Sequence, residues 1–268
     1  MNCGRMSDLL ADCSEDAFLG GKLRLRQPRS GHRAGHDAIL LAAATSARPA
    51  DRVVEFGAGV GAAGLALASR VGAIDLVLVE IDAQLAALAR DNAAANAISA
   101  DVVTLDVTSQ ADAFVAHGLM PDSVDIVLMN PPFNDGMRHR ASPDKARETA
   151  HMAVPGLLEN WIHAARRLLK SGGVLTLIWR ADGLAEVLTG LERGFGSLAI
   201  LPVHGDGAKP AIRVLVRAVK GGKAPARIHL GLVLNNESAV PKKQVEEVLA
   251  GNLALPMALP MALPMALL

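Results

Sequence analysis

The sequence predicts an α/β fold built on a mostly parallel, seven-stranded sheet with an antiparallel last strand and helices on both faces. Three observations carry that reading. From residue 51 onward, short Val- and Leu-rich runs alternate with helix-compatible stretches, the pattern of strands joined by helical crossovers. A glycine-rich turn joins the first run to the first helix. Two late runs follow one another with no helix between them, which predicts an antiparallel pair closing the sheet.

Ahead of the core, 22–27 alternates as a short strand, 31–35 is a turn, and 36–46 is a helix with Asp37 in its first turn. The core opens with the strand Arg52-Val53-Val54-Glu55-Phe56 and a helix of small and apolar residues at 62–69. Strands follow at 75–79, 102–105 and 124–129, with a helix at 83–96. A helix over 157–170 is expected to stop at Ser171-Gly172-Gly173, because glycine adopts the left-handed conformation that ends a helix. A fifth strand spans 174–179, and 198–203 and 211–219 form the final pair across a loop at 204–210. Strands separated by helices lie parallel with both faces covered. The expected organisation is an N-terminal extension over 1–50, a central α/β domain over 51–220, and a linker with a low-complexity tail over 221–268. In that tail Pro256, Pro260 and Pro264 recur within a Leu-Pro-Met-Ala repeat, and each removes a helical hydrogen bond.

Composition narrows the function. Hydrophobic residues make up 51% and charged residues 20%, enough for a sizeable core and against global disorder. Net charge is zero, so nothing global points to nucleic acid. Locally, Lys22, Arg24, Arg26, Arg29 and Arg33 fall together with no acid between them, and Arg138, Arg140, Lys145 and Arg147 form a second cluster. Either cluster alone reads as solvated surface; two of them flanking one site favour a polyanionic substrate. Cys3 and Cys13, both in an N-terminus expected to be mobile, are too few for a disulfide framework or a zinc site. Asp8, Asp12, Glu15 and Asp16 stand where a signal peptide needs an apolar run, and no apolar run reaches a membrane-spanning length. A cytoplasmic protein without a membrane partner is expected.

The turn Glu55-Phe56-Gly57-Ala58-Gly59-Val60-Gly61 sits between a strand and a helix. Glycines there permit positive φ and let a ligand approach the backbone without meeting a Cβ, while the helix N-terminus faces the ligand. A packing turn without a ligand is the plain alternative. Glu80 ends the next strand, where a carboxylate can accept from both ribose hydroxyls, and Asp106 ends the third, where it can accept from an adenine amino group. These features suit NAD and S-adenosylmethionine alike, and Gly59-Val60-Gly61-Ala62-Ala63-Gly64 satisfies the dinucleotide pattern.

Asn130-Pro131-Pro132-Phe133 follows the fourth strand at the edge of the sheet where ligands bind. The two prolines fix φ and hold the residue before each extended. That rigidity aims the Asn130 side chain and the Pro131 carbonyl at one point, where both can accept from a single NH₂ group. Such a pair suits methylation of an exocyclic or amide nitrogen, whose lone pair is delocalised until its hydrogens are held. Phe133 would stack on a flat substrate such as a flipped base. Elsewhere Pro-Pro-Phe would read as a rigid turn with a buried ring.

On these residues the chain resembles a known family. Residues 18–220 resemble the bacterial tRNA adenine-N6 methyltransferases that modify the adenine beside the anticodon of a valine tRNA. The resemblance rests on Gly35-His36-Asp37-Ala38-Ile39-Leu40-Leu41 after the basic strand, on Glu55 through Gly61, on Val79-Glu80-Ile81-Asp82, on Asn130 through Phe133, and on Arg213-Val214-Leu215-Val216. It implies a Rossmann-like class I methyltransferase with S-adenosyl-L-methionine as cofactor and tRNA as partner. It assigns Asn130, Pro131 and Phe133 to catalysis. Asp37, Glu55, Gly57, Gly59, Gly61, Glu80, Asp106 and Asn130 fall to the cofactor, Asp37 toward its methionine end. The family's usual Thr-Asp pair stands here as His36-Asp37, and 221–268 has no counterpart.

The rivals are a protein glutamine methyltransferase, a small-molecule O-methyltransferase, a nicotinamide dehydrogenase and a non-catalytic S-adenosylmethionine-binding protein. The first wants a helical substrate domain, for which some 50 residues before the core are few. An oxygen acceptor wants a base or a metal. His32, His36, His139 and His151 show no metal-ligand spacing, so no metal is expected.

Overall fold

Residues 13–30, 33–132, 156–235 and 239–258 are described by the structure, a computed structural model. The described residues open with a hairpin, β1 (Cys13–Phe18) antiparallel to β2 (Leu23–Pro28), followed by α1 (His36–Ala44). Then come β3 (Arg52–Phe56), α2 (Ala62–Val71), β4 (Asp75–Glu80), α3 (Ala83–Ala95), β5 (Asp101–Thr104) and α4 (Ala111–Val115). The second half runs β6 (Val124–Met129), α5 (Leu157–Leu168), β7 (Leu169–Arg180), α6 (Leu184–Leu191), β8 (Phe195–Asp206) and β9 (Arg213–Lys220). It closes with β10 (Arg227–Ile228), β11 (Leu232–Asn235) and α7 (Ala239–Leu249).

β3 to β7 are parallel, and β9 runs antiparallel between β7 and β8. The order β8-β9-β7-β6-β3-β4-β5 makes the seven expected strands, and β10 and β11 both add to β8 at the edge. The central strands are apolar on both faces because helices cover both. α1, α2, α3, α7 and the hairpin bury Leu25, Leu40, Leu65, Ala89 and Val248 against one face. α4, α5 and α6 bury Phe114, Trp161, Leu168 and Val187 against the other. The change of face occurs where the strand order reverses, between β3 and β6. Ligands of open α/β sheets bind at the carboxyl ends of strands at that reversal.

The structure departs from the sequence reading at the following places. Cys13, expected in a mobile terminus, lies in β1. α5 ends at Leu168 rather than at Ser171-Gly172-Gly173. Its last carbonyls, on Arg167 and Leu168, accept from the N–H groups of Asp122 and Ser123 at 3.1 and 3.0 Å, so no glycine cap is needed. Gly172, at φ 79°, instead lies inside β7, where the ladder to β6 skips between the pairs Val124–Leu169 and Ile126–Val174. A helix, α6, separates β7 from β8 where no element was expected. Within 221–258, expected as linker and tail, β10 and β11 extend the sheet and α7 packs on α1. Leu255 and Met257 are buried, and the Leu255 N–H donates to the Ala43 carbonyl at 2.8 Å. Pro256 opens a single 3-10 turn, Pro256–Ala258, which is short enough to accommodate it. Pro260 and Pro264 lie outside the described residues.

Candidate active site

The register of β3 and β6 pairs Phe56 with Met129, so Gly57 and Asn130 leave neighbouring strands side by side at the reversal. Gly57, Gly59 and Gly61 have φ of 63°, 56° and 85°, the region that disfavours any side chain. Their surroundings separate their roles. A Cβ on Gly57 would lie 2.5 Å from Cη2 of Trp161, whose ring meets Phe56 edge-on and supports the turn from beneath. A Cβ on Gly61 would meet Leu78 at 3.0 Å and one on Gly64 would meet it at 2.6 Å, so these two glycines bring α2 close to β4. Among the described residues, Gly59 alone of the set has nothing within 4 Å of its Cβ position.

Two carboxylates hold this turn. Glu80, 6% exposed, accepts from the Gly59 N–H at 2.7 Å and from the Asp82 N–H at 2.9 Å. Each of its oxygens keeps a further lone pair for a ligand hydroxyl. Asp82 caps α3 by accepting from the N–H groups of Gln84 and Leu85. Glu55 turns inward, beneath the turn, and accepts from the Gly64 N–H at 2.7 Å in the first turn of α2. Burial pushes its carboxyl up to about 8, helped by the charge of Glu80 and opposed by the Gly64 and Ala63 amides. Asp106 folds back on its own turn, accepting from Thr108 N–H and Oγ1 at 2.7 and 2.8 Å. Asp37, in the first turn of α1, accepts from Arg213 Nε at 3.0 Å, an ion pair between groups about three-quarters shielded from solvent.

Asn130 directly follows β6, and Pro131 beside it is buried. The Asn130 Oδ1 atom is shielded from solvent and accepts no hydrogen bond among the described residues. A buried acceptor without a donor costs about 1–3 kcal/mol, which marks it as a place where an incoming N–H group is rewarded. Phe133, the cluster Arg138, Arg140, Lys145 and Arg147, and His32, His139 and His151 lie outside the described residues.

Residues 33–205 match the family model described as Methyltransferase small domain. The chain belongs to this family. A tRNA1(Val) (adenine(37)-N6)-methyltransferase of Bacteroides thetaiotaomicron is 28% identical over 218 residues, 81% of this chain and 83% of that protein. Ribosomal RNA small subunit methyltransferase C of Pseudomonas syringae pv. tomato is 34% identical over 130 residues, 48% of this chain and only 32% of that protein. Among solved structures, a predicted O-methyltransferase from Agrobacterium tumefaciens aligns with a TM-score of 0.68 at 32% identity, over 82% of this chain and 98% of that one. The protein is an S-adenosyl-L-methionine-dependent methyltransferase with a Rossmann-like α/β fold.

The methyltransferase contains site features that the sequence reading passed over. Trp161 reaches Gly57 from a helix more than 100 residues away. Ile81 presents a large apolar side chain, 53% exposed, directly after Glu80. Its position directly after Glu80 was a signal available in the sequence. Arg213 lies within the strand expected over 211–219, and its pairing with Asp37 is not written in any local pattern. The basic hairpin also changes character. Acids absent between its cations arrive from β1, with Glu15 3.1 Å from Arg24 and Asp16 2.7 Å from Arg33. Lys22 donates to Asn252. Arg26 and Arg29 have no ion-pair partner among the described residues. Among the described residues no helix is long and apolar enough to cross a membrane.

Proposed function

We propose that this methyltransferase transfers the methyl group to the N6 amino group of an adenine in tRNA. The observation that carries the proposal is the Oδ1 of Asn130, buried and without a hydrogen-bond partner among the described residues, beside the glycine turn at the sheet reversal. When bound, S-adenosyl-L-methionine supplies an electrophilic sulfonium methyl. The open face of Gly59 gives it room, and the free lone pairs of Glu80 suit its ribose hydroxyls. Ile81 offers an apolar surface to a flat ring, and Asp106 a carboxylate to an amino group. Asn130 Oδ1 and the Pro131 carbonyl accept from the two hydrogens of the target NH₂, which frees its lone pair for attack. Nitrogen becomes cationic as its bond to the methyl carbon forms and the carbon–sulfur bond breaks, so these acceptors hold it more strongly in the transition state than before; the cation then gives one proton to water. Phe133 stacks on the base. Glu55, Gly61 and the Asp37–Arg213 pair act on the cofactor by holding the turn and α1 in place. The name of the Bacteroides relative supports this acceptor. That of the Agrobacterium neighbour points to oxygen, but a hydroxyl needs a base to take its proton as it attacks and Asn130 is not one, whereas an amino nitrogen attacks through its lone pair and loses its proton afterwards.

The test is to incubate the enzyme with S-adenosyl-L-methionine and unmodified tRNA, then identify nucleosides by mass spectrometry. N6-methyladenosine is expected at a single position. Methylated ribose, or no methylated adenine, would overturn the proposal.

A further inference from the structure

Asn92 in the last turn of α3 and Asn96, the residue that caps its C-terminus, lie four apart, and each grips one residue of β2. The Arg26 N–H donates to Asn92 Oδ1 at 2.8 Å, and Asn92 Nδ2 donates to the Arg26 carbonyl at 3.0 Å. The Arg24 N–H donates to Asn96 Oδ1 at 2.9 Å, and Asn96 Nδ2 donates to the Arg24 carbonyl at 2.8 Å. The match follows from the two periods. Four residues of helix rise about 6.0 Å, and two residues of strand advance about 6.7 Å. Side-chain amides four apart on a helix therefore meet backbone groups two apart on a strand. The two asparagines stand in for a third strand of the hairpin.

The remaining N–H of each amide separates the two. Asn96 donates it to the Asn92 carbonyl of its own helix at 2.7 Å. Asn92, completely buried, donates it to the Val60 carbonyl at 3.0 Å. Val60 lies between Gly59 and Gly61 in the turn. Both donors of Asn92 are thus used, and exchanging its oxygen and nitrogen would set N–H against N–H at Arg26. Two successive residues of the turn are pinned by different elements: Gly59 by Glu80 from β4, and Val60 by Asn92 from α3.

We propose that Asn92 is a positioning residue of the cofactor site, joining the N-terminal hairpin to the glycine turn so that the two move as one unit. The proposal rests on the assignment of S-adenosyl-L-methionine to that turn. It implies that cofactor affinity depends on hairpin contacts that never touch the cofactor.

The test is calorimetric titration of S-adenosylhomocysteine into the full chain and three variants, with steady-state kinetics beside it. Asn96→Ala is the internal control, because it loses the same grip on β2 but no bond to the turn. Asn92→Ala is expected to bind about tenfold more weakly, the cost of orphaning a buried carbonyl in the turn. Its KM for S-adenosyl-L-methionine should rise while turnover at saturating donor is retained. Asn96→Ala is expected to stay within about twofold of the parent. Arg26→Pro removes the N–H that Asn92 accepts without altering α3, and should weaken binding about threefold. Equal affinities for Asn92→Ala and Asn96→Ala would overturn the proposal. If Asn92→Ala does not fold, parental affinity in Arg26→Pro overturns it instead. Failure of the parent chain itself to bind S-adenosylhomocysteine would remove the cofactor assignment, and the proposal with it.

Discussion

Replacing Glu55 by glutamine is expected to stabilise the fold at alkaline pH and to leave it nearly unchanged near pH 5. Glu55 is enclosed at the end of β3, and burial is the largest influence on its carboxyl, raising it from 4.5 to about 8. The Gly64 and Ala63 amides favour the charged form but do not win against desolvation. Below pH 4.5 the folded and unfolded chains both hold this proton. Between 4.5 and about 8 only the folded chain does, so the stabilisation is complete at the acid end and is lost as pH rises through the folded value. At about 1.36 kcal/mol per unit, the parent loses about 3–4 kcal/mol between pH 5 and pH 8 relative to a side chain that does not titrate. Glutamine keeps the volume and an acceptor oxygen for the Gly64 N–H. Urea unfolding followed by tryptophan fluorescence, repeated across this pH range, gives the difference between variant and parent, in which other titrating groups cancel. A difference that stays flat with pH would refute the reasoning and place Glu55 charged in the fold.

Five further outcomes are expected. Glu80→Ala should lose about 1–3 kcal/mol of S-adenosylhomocysteine affinity by calorimetry, because the Gly59 and Asp82 amides lose their acceptor together with the proposed ribose contact. Gly59→Ala should bind the same ligand weakly but cost only about 1–2 kcal/mol of stability, from its φ of 56°. Gly64→Ala should instead unfold at lower urea, by about 1–3 kcal/mol, because its Cβ meets Leu78 at 2.6 Å and Glu55 Oε2 at 2.7 Å. Asn130→Ala should lose about 10²–10³ in turnover with cofactor affinity intact, while Asn130→Asp keeps an acceptor and part of the rate; parental turnover in the alanine variant would rule out the amino-methylation mechanism. Arg26→Ala with Arg29→Ala should lower the salt slope of tRNA binding by about 1–2, and a slope unchanged by both would detach the hairpin from RNA.

Features set by local backbone sterics were readable in the sequence. The glycine turn announces itself because only glycine tolerates its φ values, and the Asn-Pro-Pro run because proline restricts its neighbours. The helices and parallel strands of the core follow from apolar periodicity and short connections. Charge and packing at the site were decided by the tertiary structure. Asp37 and Arg213 are 176 residues apart, and Asn92 meets Arg26 across 66. Trp161 fills the space under Gly57 from a different helix. The cations of the hairpin read as an unopposed cluster until β1 set Glu15 and Asp16 beside them. The stretch around Pro256 reads as a tail because proline opposes helix, yet Leu255 and Met257 are buried. Backbone preference acts within a few residues and is written in them. Which side chain satisfies a given carboxylate, carbonyl or apolar surface depends on how the sheet orders its strands, and no short stretch of sequence contains that order.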